Sequence, residues 1–368
     1  MRVALIPKAF VFGLGLFLLG QAELSSARED IVPGARYTSG RAAAMGDAFL
    51  PLADDGASAL FYNPAGLARL RAPQVEPLNF SIYFNNQYAG MFGLNFYNIG
   101  SLSSFLPTLE KNPEQLAGAG FSLLPTAYMR GFSFGVLLQS HVMGVAHSDG
   151  SVEYRSVYQF VPTAGAGFRL AGGIVRIGYV VQWVNQASGQ MLVPRDTTPM
   201  GYNQGLASGS GLSHNIGFAL TLPIAYLPSF NLVARNLLGL HFSDFSALPL
   251  ARNRSGAPPD EPTSYDAAVG FVSKIGAGSY FNIVGEYRDL TDTSGVSLYG
   301  RLAGGIELSL RDAFFLRGGW SGGYPSAGVG LRRKGGDFSV TWYSEEIGGG
   351  YHSVRDQRYM LHYQVRTF

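Results

Sequence analysis

From about residue 120 onward the chain alternates between apolar and small or polar positions. Val175, Ile177, Tyr179, Val181 and Trp183 interleave with Arg176, Gly178, Val180 and Gln182. Ile216, Phe218, Leu220 and Leu222 do the same with Asn215, Gly217, Ala219 and Thr221, and Phe338, Val340 and Trp342 with Ser339 and Thr341. A period of two is the mark of a strand with one apolar face. After the first twenty residues no run reaches the roughly 18 apolar residues of a membrane-crossing helix. Alternation alone fits a soluble sandwich as well as a membrane barrel.

The connections separate the two. Read back from the C-terminus, long and short ones tend to alternate: 345–355 is long, 334–336 short, 321–325 intermediate and Arg311-Asp312 tight. Then 289–297 is long, 275–278 short, 241–264 long, 223–228 moderate, 185–211 long, 171–173 short and Arg130-Gly131 tight. Outer-membrane barrels have short periplasmic turns and longer outer loops, and a sandwich has no reason to sort loops by parity. The strands predicted are 355–368, 337–344, 326–333, 313–320, 298–310, 279–288, 265–274, 229–240, 212–222, 174–184, 152–170, 132–146 and 119–129. One more lies within 75–97, with an irregularity at Asn85-Asn86, which keeps the number even at fourteen. The fold class expected is all-β, a 14-stranded antiparallel transmembrane β-barrel over residues 75–368. Residues 98–118 fall on the outer side, where Leu102, Phe105, Leu106 and Leu109 suit ordinary loop packing and ligand capture equally.

The stretch MGDAFLPLADDGASALFYNPAGL, Met45 to Leu67, breaks the pattern. Its small residues allow close backbone approach, Asp54 and Asp55 suit the cap of a short helix over ASALFY, and Pro64 ends it. Asn63 offers amide donors and an acceptor to a wall. A barrel of fourteen strands is too wide to be filled by its own side chains. Residues 28–73 are therefore expected to plug it; a periplasmic extension is the alternative.

Composition narrows the function. Arg2 and Lys8 precede an apolar run from Ala9 to Gly20, which reads as a signal peptide over 1–22, cleaved after Ala22 or as late as Ala27. Cleavage after Ala22 takes the net charge from +2 to 2 − 2 = 0, which gives no support to a nucleic-acid partner. With no Cys, disulfide frameworks and thiolate metal sites are excluded. Gly319-Trp320-Ser321-Gly322-Gly323 matches the nucleophile-elbow pattern but lacks a following helix. The six His show no zinc-binding spacing, and Asp54-Asp55 reads as a capping turn. No catalytic residue, metal or cofactor is expected. The group Arg332-Arg333-Lys334, at a short turn, faces the periplasm, and Glu345-Glu346 lies at the other end.

Ser39 to Leu70, SGRAAAMGDAFLPLADDGASALFYNPAGLARL, resembles the N-terminal signature of the FadL-type outer-membrane transporters of hydrophobic compounds. That family also includes PorV-type barrels, which serve protein secretion. The resemblance covers some 30 residues strongly and the rest in architecture. It implies an N-terminal hatch in which Asn63, Pro64 and Ala65 are the carried-over positions; Arg41, Gly46, Asp54 and Asp55 complete the candidate plug residues. It further implies a bacterial outer-membrane location and passive uptake of hydrophobic small molecules such as long-chain fatty acids. The partners are the lipid bilayer, the ligand and the outer-membrane assembly machinery. The terminal YMLHYQVRTF resembles the strand that machinery reads, although Tyr359, Leu361, Tyr363 and Val365 are out of phase with Phe368.

Apolar cargo gains by leaving sideways into the bilayer. Proline removes a ladder donor, and Pro125 and Pro162 lie inside expected strands. The turns place both near Gly135, Val136 and Leu137, so a kink or lateral opening is expected there. The family's lateral exit lies at its third strand, which is this one by the count above. Two readings of other classes remain: a PorV-like partner of secreted proteins, and a structural, porin-like barrel.

Overall fold

The computed structural model describes residues 36–95, 102–194, 201–347 and 351–367; the signal-peptide region and Phe368 lie outside them. The described chain begins with two short helices, α1 (Gly40–Ala43) and α2 (Gly56–Phe61), with 3-10 turns at Leu50–Leu52 and Pro64–Ala68. β1 (Gln74–Asn85) leads to α3 (Asn86–Phe92) and α4 (Leu102–Glu110). Then follow β2 (Ala117–Leu123), β3 (Thr126–Met129), β4 (Phe132–Ala146), β5 (Val152–Leu170), β6 (Val175–Val193), β7 (Ala207–Thr221) and β8 (Ser229–Arg235). The last seven are β9 (Ser264–Gly276), β10 (Ser279–Tyr287), β11 (Leu302–Leu310), β12 (Phe314–Ser321), β13 (Tyr324–Arg333), β14 (Gly336–Glu346) and β15 (Arg355–Thr367).

All pair antiparallel with their neighbours, and β15 closes on β1, with Phe80 opposite Tyr363. β2 and β3 both sit between β1 and β4, so they share one position and the ring has fourteen. The fold is thus the closed 14-stranded barrel that loop parity and alternation indicated. Several boundaries differ. Asn85-Asn86 ends β1 rather than interrupting a longer strand, because Asn85 caps α3 by accepting the Tyr88 N–H at 2.9 Å. β6 runs nine residues past Val184, and β8 stops at Arg235, five short of 240. The segment 321–325 is a two-residue turn, made by Gly322 and Gly323 at φ of +59° and +95°.

The distribution of polarity is inverted relative to a soluble protein. Inward positions carry buried Asn79, Gln139, Asn231, Glu286, Glu307 and His362. Outward positions carry exposed Phe134, Ile177, Phe218, Phe271, Leu316 and Val340. A soluble chain does not present such a belt to water; a bilayer is its solvent. Above the belt, on the long-loop side, Phe105 and Leu109 of α4 and Tyr88 of α3 are buried with Phe84, Val142, Ala146 and Tyr154. Those strand residues share the parity of the outward belt, so the helices lean on the outer wall of β1, β2, β4 and β5. Phe92 stacks on Phe105 at 4.8 Å.

Candidate functional site

The N-terminal segment is held by inward-facing side chains on widely separated strands. Arg41 donates two hydrogen bonds to Glu307 of β11, at 2.7 and 2.8 Å, and one to Asp54 at 2.7 Å. Glu307 also accepts from Arg317 at 2.7 Å and from Asn282 at 3.0 Å, so its charge is fully engaged although only 1% of the residue is exposed. Glu286 accepts the backbone N–H groups of Phe49 and Leu50 at 2.9 and 3.1 Å. Ser326 accepts from Gly46 N–H at 2.9 Å and donates to Ala44 C=O. Arg235 donates to the carbonyls of Phe61 and Tyr62. Buried backbone polar groups need such partners, and here the barrel wall supplies them.

Each residue singled out in the sequence has a definite place. Asn63 donates to Leu50 C=O and to Asn231 Oδ1, both at 3.0 Å, and accepts the Ala65 N–H, capping the turn that Pro64 opens. Asp55 caps α2 in a reciprocal box with Ser58, while Asp54 pairs with Arg41 instead. Gly46 adopts φ +65° against the backbone of Trp320. Sequence reasoning missed the wall's share of this fit. A Cβ on Gly178 of β6 would collide with the Pro64 carbonyl, and one on Gly319 of β12 with the Met45 backbone. Glycine recurring at inward strand positions was the available signal.

The proline region has an unexpected form. Val136 donates its N–H to Pro125 C=O at 3.2 Å and faces Pro162 across the β4–β5 seam. Because a strand residue sends N–H and C=O to the same side, Val136–Pro162 is a non-hydrogen-bonded pair. The β4–β5 ladder therefore runs unbroken through Val136, and β4 itself is not where the wall fails. The breaks lie in the seams on either side. Between β4 and β2/β3, pairing skips from Leu123–Leu138 to Thr126–Gly135. Between β5 and β6, it skips from Phe160–Asn185 to Thr163–Gln182, where Pro162 turns its missing donor. A third proline, Pro77, which the sequence reading passed over, sits at a register shift between β1 and β15.

Both faces of this patch are apolar. Outside is an open depression of about 610 Å³ lined by Pro77, Pro125, Val136, Pro162, Trp183 and Leu212 among others. Inside, Leu124, Leu137, Val161 and Val184 are buried in one cluster with Tyr37. α2 stands directly behind: a Cβ on Gly135 would lie 3.0 Å from Leu60, and one on Gly56 2.9 Å from Thr126 Oγ1. The outer end of the lumen contrasts with it. There a cavity of about 410 Å³ is lined by Arg36, Arg235, Arg288 and Arg301 together with Asp266 and Glu345.

The remaining candidates are scattered. Phe105 and Leu109 are buried on the outer wall and Leu106 partly so; the Leu102 backbone belongs to α4. Ser321 ends β12 before a β-turn, not a helix, and accepts from Arg288 at 3.4 Å. Among the described residues no group of His, Asp or Glu is placed to hold a metal ion.

No family model and no curated protein matches the chain. Among solved structures, the CymD monoaromatic hydrocarbon channel aligns at TM-score 0.50 and 10% identity, over 89% of this chain and 97% of its own. The TodX deltaS2S3 mutant monoaromatic hydrocarbon channel gives 0.50 and 10%, over 89% and 98%. At this identity the likeness is one of fold alone, shared over nearly the whole length of each channel.

Proposed function

We propose, from a barrel fold shared with two hydrocarbon channels, that this chain is an outer-membrane channel for passive uptake of hydrophobic small molecules. The N-terminal segment closes the lumen, and cargo leaves sideways through the proline-broken wall. The observation that carries this reading is the patch at Pro125 and Pro162, where the ladder lapses in two seams and both faces are apolar. Each proline removes one ladder donor from its seam, and at Pro162 the freed Trp183 carbonyl is met by Asn185 Nδ2 at 3.3 Å, a side-chain contact that can be given up more readily than a ladder bond. An apolar solute also gains nothing from the charged outer cavity, whereas the patch leads directly to the acyl chains. Leu60 of α2, standing behind Gly135, couples the two parts: displacing the segment uncovers the opening from within.

The test is uptake by liposomes containing the purified barrel, with a monoaromatic hydrocarbon in one arm and a long-chain fatty acid in the other. Entry of either above protein-free liposomes, lost when cysteines introduced at Thr126 and Gly135 are joined across the seam, supports the reading. No entry of either, with a secreted protein co-purifying instead, transfers the assignment to a secretion partner.

A further inference from the structure

The uptake reading leaves Arg332-Arg333-Lys334 unused. At the short-turn end of the barrel, Arg71, Arg130, Lys274, Arg311, Arg333 and Lys334 are all exposed, and among the described residues none of them forms an ion pair. The acids nearby do not balance them. Asp337 is engaged by Arg332 at 2.8 Å and by Arg366 at 3.2 Å, which leaves Asp312. The cations follow the ring rather than one sector: they precede β1, join β3 to β4, end β9, join β11 to β12 and join β13 to β14. A protein footprint would gather charge on one side. A lipid annulus meets all of it.

Depth points the same way. Four of the six adjoin an outward apolar side chain: Phe132 beside Arg130, Ile275 beside Lys274, Leu310 beside Arg311, Leu331 beside Arg333. Tyr363, on the outward face of β15, carries its hydroxyl to within 3.4 Å of a Cβ position on Gly336, level with the β13–β14 turn. Tyrosine hydroxyls mark the headgroup level of a bilayer, so Arg333 and Lys334 stand where lipid phosphates lie. Between that turn and residues 72–74 is a cleft of about 470 Å³, lined by Arg332, Arg333, Lys334 and Arg366 against Asp312 and Asp337, four cations to two acids.

We propose that this rim binds the phosphate headgroups of anionic phospholipids in the periplasmic leaflet, with Arg333 and Lys334 at the cleft as the principal contacts. Leu331 and Phe338 on the wall above them meet the first acyl methylenes. The proposal rests on the barrel spanning a membrane with its short turns toward the periplasm, not on what it carries.

The folded barrel in detergent is mixed with equal amounts of phosphatidylglycerol and phosphatidylcholine of identical chains, and retained lipid is weighed by native mass spectrometry. Phosphatidylglycerol is expected to be retained about thirtyfold over phosphatidylcholine, from two cations at phosphate level. In the Arg333→Gln, Lys334→Gln double variant the preference is expected to fall severalfold, while heat-modifiable gel migration reports that the barrel is still folded. Equal retention of the two lipids overturns the proposal, as does a preference the double variant does not move. Displacement of phosphatidylglycerol by millimolar glycerol phosphate also overturns it, since the site would then recognise a free phosphate.

Discussion

Val136 lends its N–H to Pro125 and only its side to Pro162. One residue thus stands between two prolines on different seams, bonded to one and merely facing the other. The wall is weakened locally on both sides of the β4–β5 hairpin, over two residue pairs in each seam, while the ladder between β4 and β5 stays intact. Replacing Pro162 with Val restores a donor toward β6. One added hydrogen bond is worth about 0.5–1.5 kcal/mol, so the variant is expected to unfold at higher denaturant concentration. Its uptake of hydrophobic cargo is expected to fall severalfold; unchanged uptake would place the exit elsewhere.

Glu307 is buried between Arg41 and Arg317. Glu307→Gln takes the carboxylate from buried Arg317 and leaves Arg41 with Asp54 alone. Breaking a buried pair in this way costs about 3–5 kcal/mol. Urea titration of the folded barrel reads the loss, and Arg41→Leu in the same background is expected to recover part of it.

Gly178→Val puts a branched side chain where the Pro64 carbonyl lies. The strand is fixed by β5 and β7, so the segment must give way. Liposome swelling with a small sugar is expected to rise above that of the parent barrel. A variant as tight as the parent would mean that the segment does not close the lumen.

In the outer loop, His241 Nδ1 lies 2.6 Å from Asp260, whose other oxygen accepts the Phe242 N–H at 2.9 Å. The hydrogen bond to Asp260 raises the His241 pKa, and the hydrogen bond from His241 lowers that of Asp260. For the histidine, the folded value is above the unfolded one, so its contribution is complete below the unfolded pKa and fades as pH rises through the raised one. For the aspartate the sign reverses: its contribution is present above the unfolded pKa and fades as pH falls through the lowered one. The loop is therefore expected to be best ordered in mildly acidic to near-neutral solution. Amide exchange at Phe242 checks this, and protection that stays flat from acid to alkaline pH would refute it.

The strands were legible because two signals agreed: side-chain alternation fixed their interiors and loop parity their order. Ends were less legible. Nothing in QVEPLNFSIYFNNQYAG marks Asn85 as a helix cap until the Tyr88 N–H is seen to reach it. Pro125 and Pro162 could be brought together by counting from turns, since hairpin registers are fixed by turn length. Which seam would lose its bonds could not, because that depends on which way each residue's N–H points. The same limit hid Gly178 and Gly319. A glycine's reason for being there is the backbone opposite, and that backbone is more than a hundred residues away.

That separation bears on assembly. The residues that seat the N-terminal segment come from strands all round the barrel, from Asn79 of β1 to β15, and Arg41 meets a partner 266 positions later in the chain. The earliest of these elements to be made is thus the last that can settle, since its socket exists only when the cylinder has shut. Contacts so distant in sequence are slow to form. A nascent barrel of this kind passes through a stage in which it is closed around its circumference while its N-terminal segment has yet to find its partners.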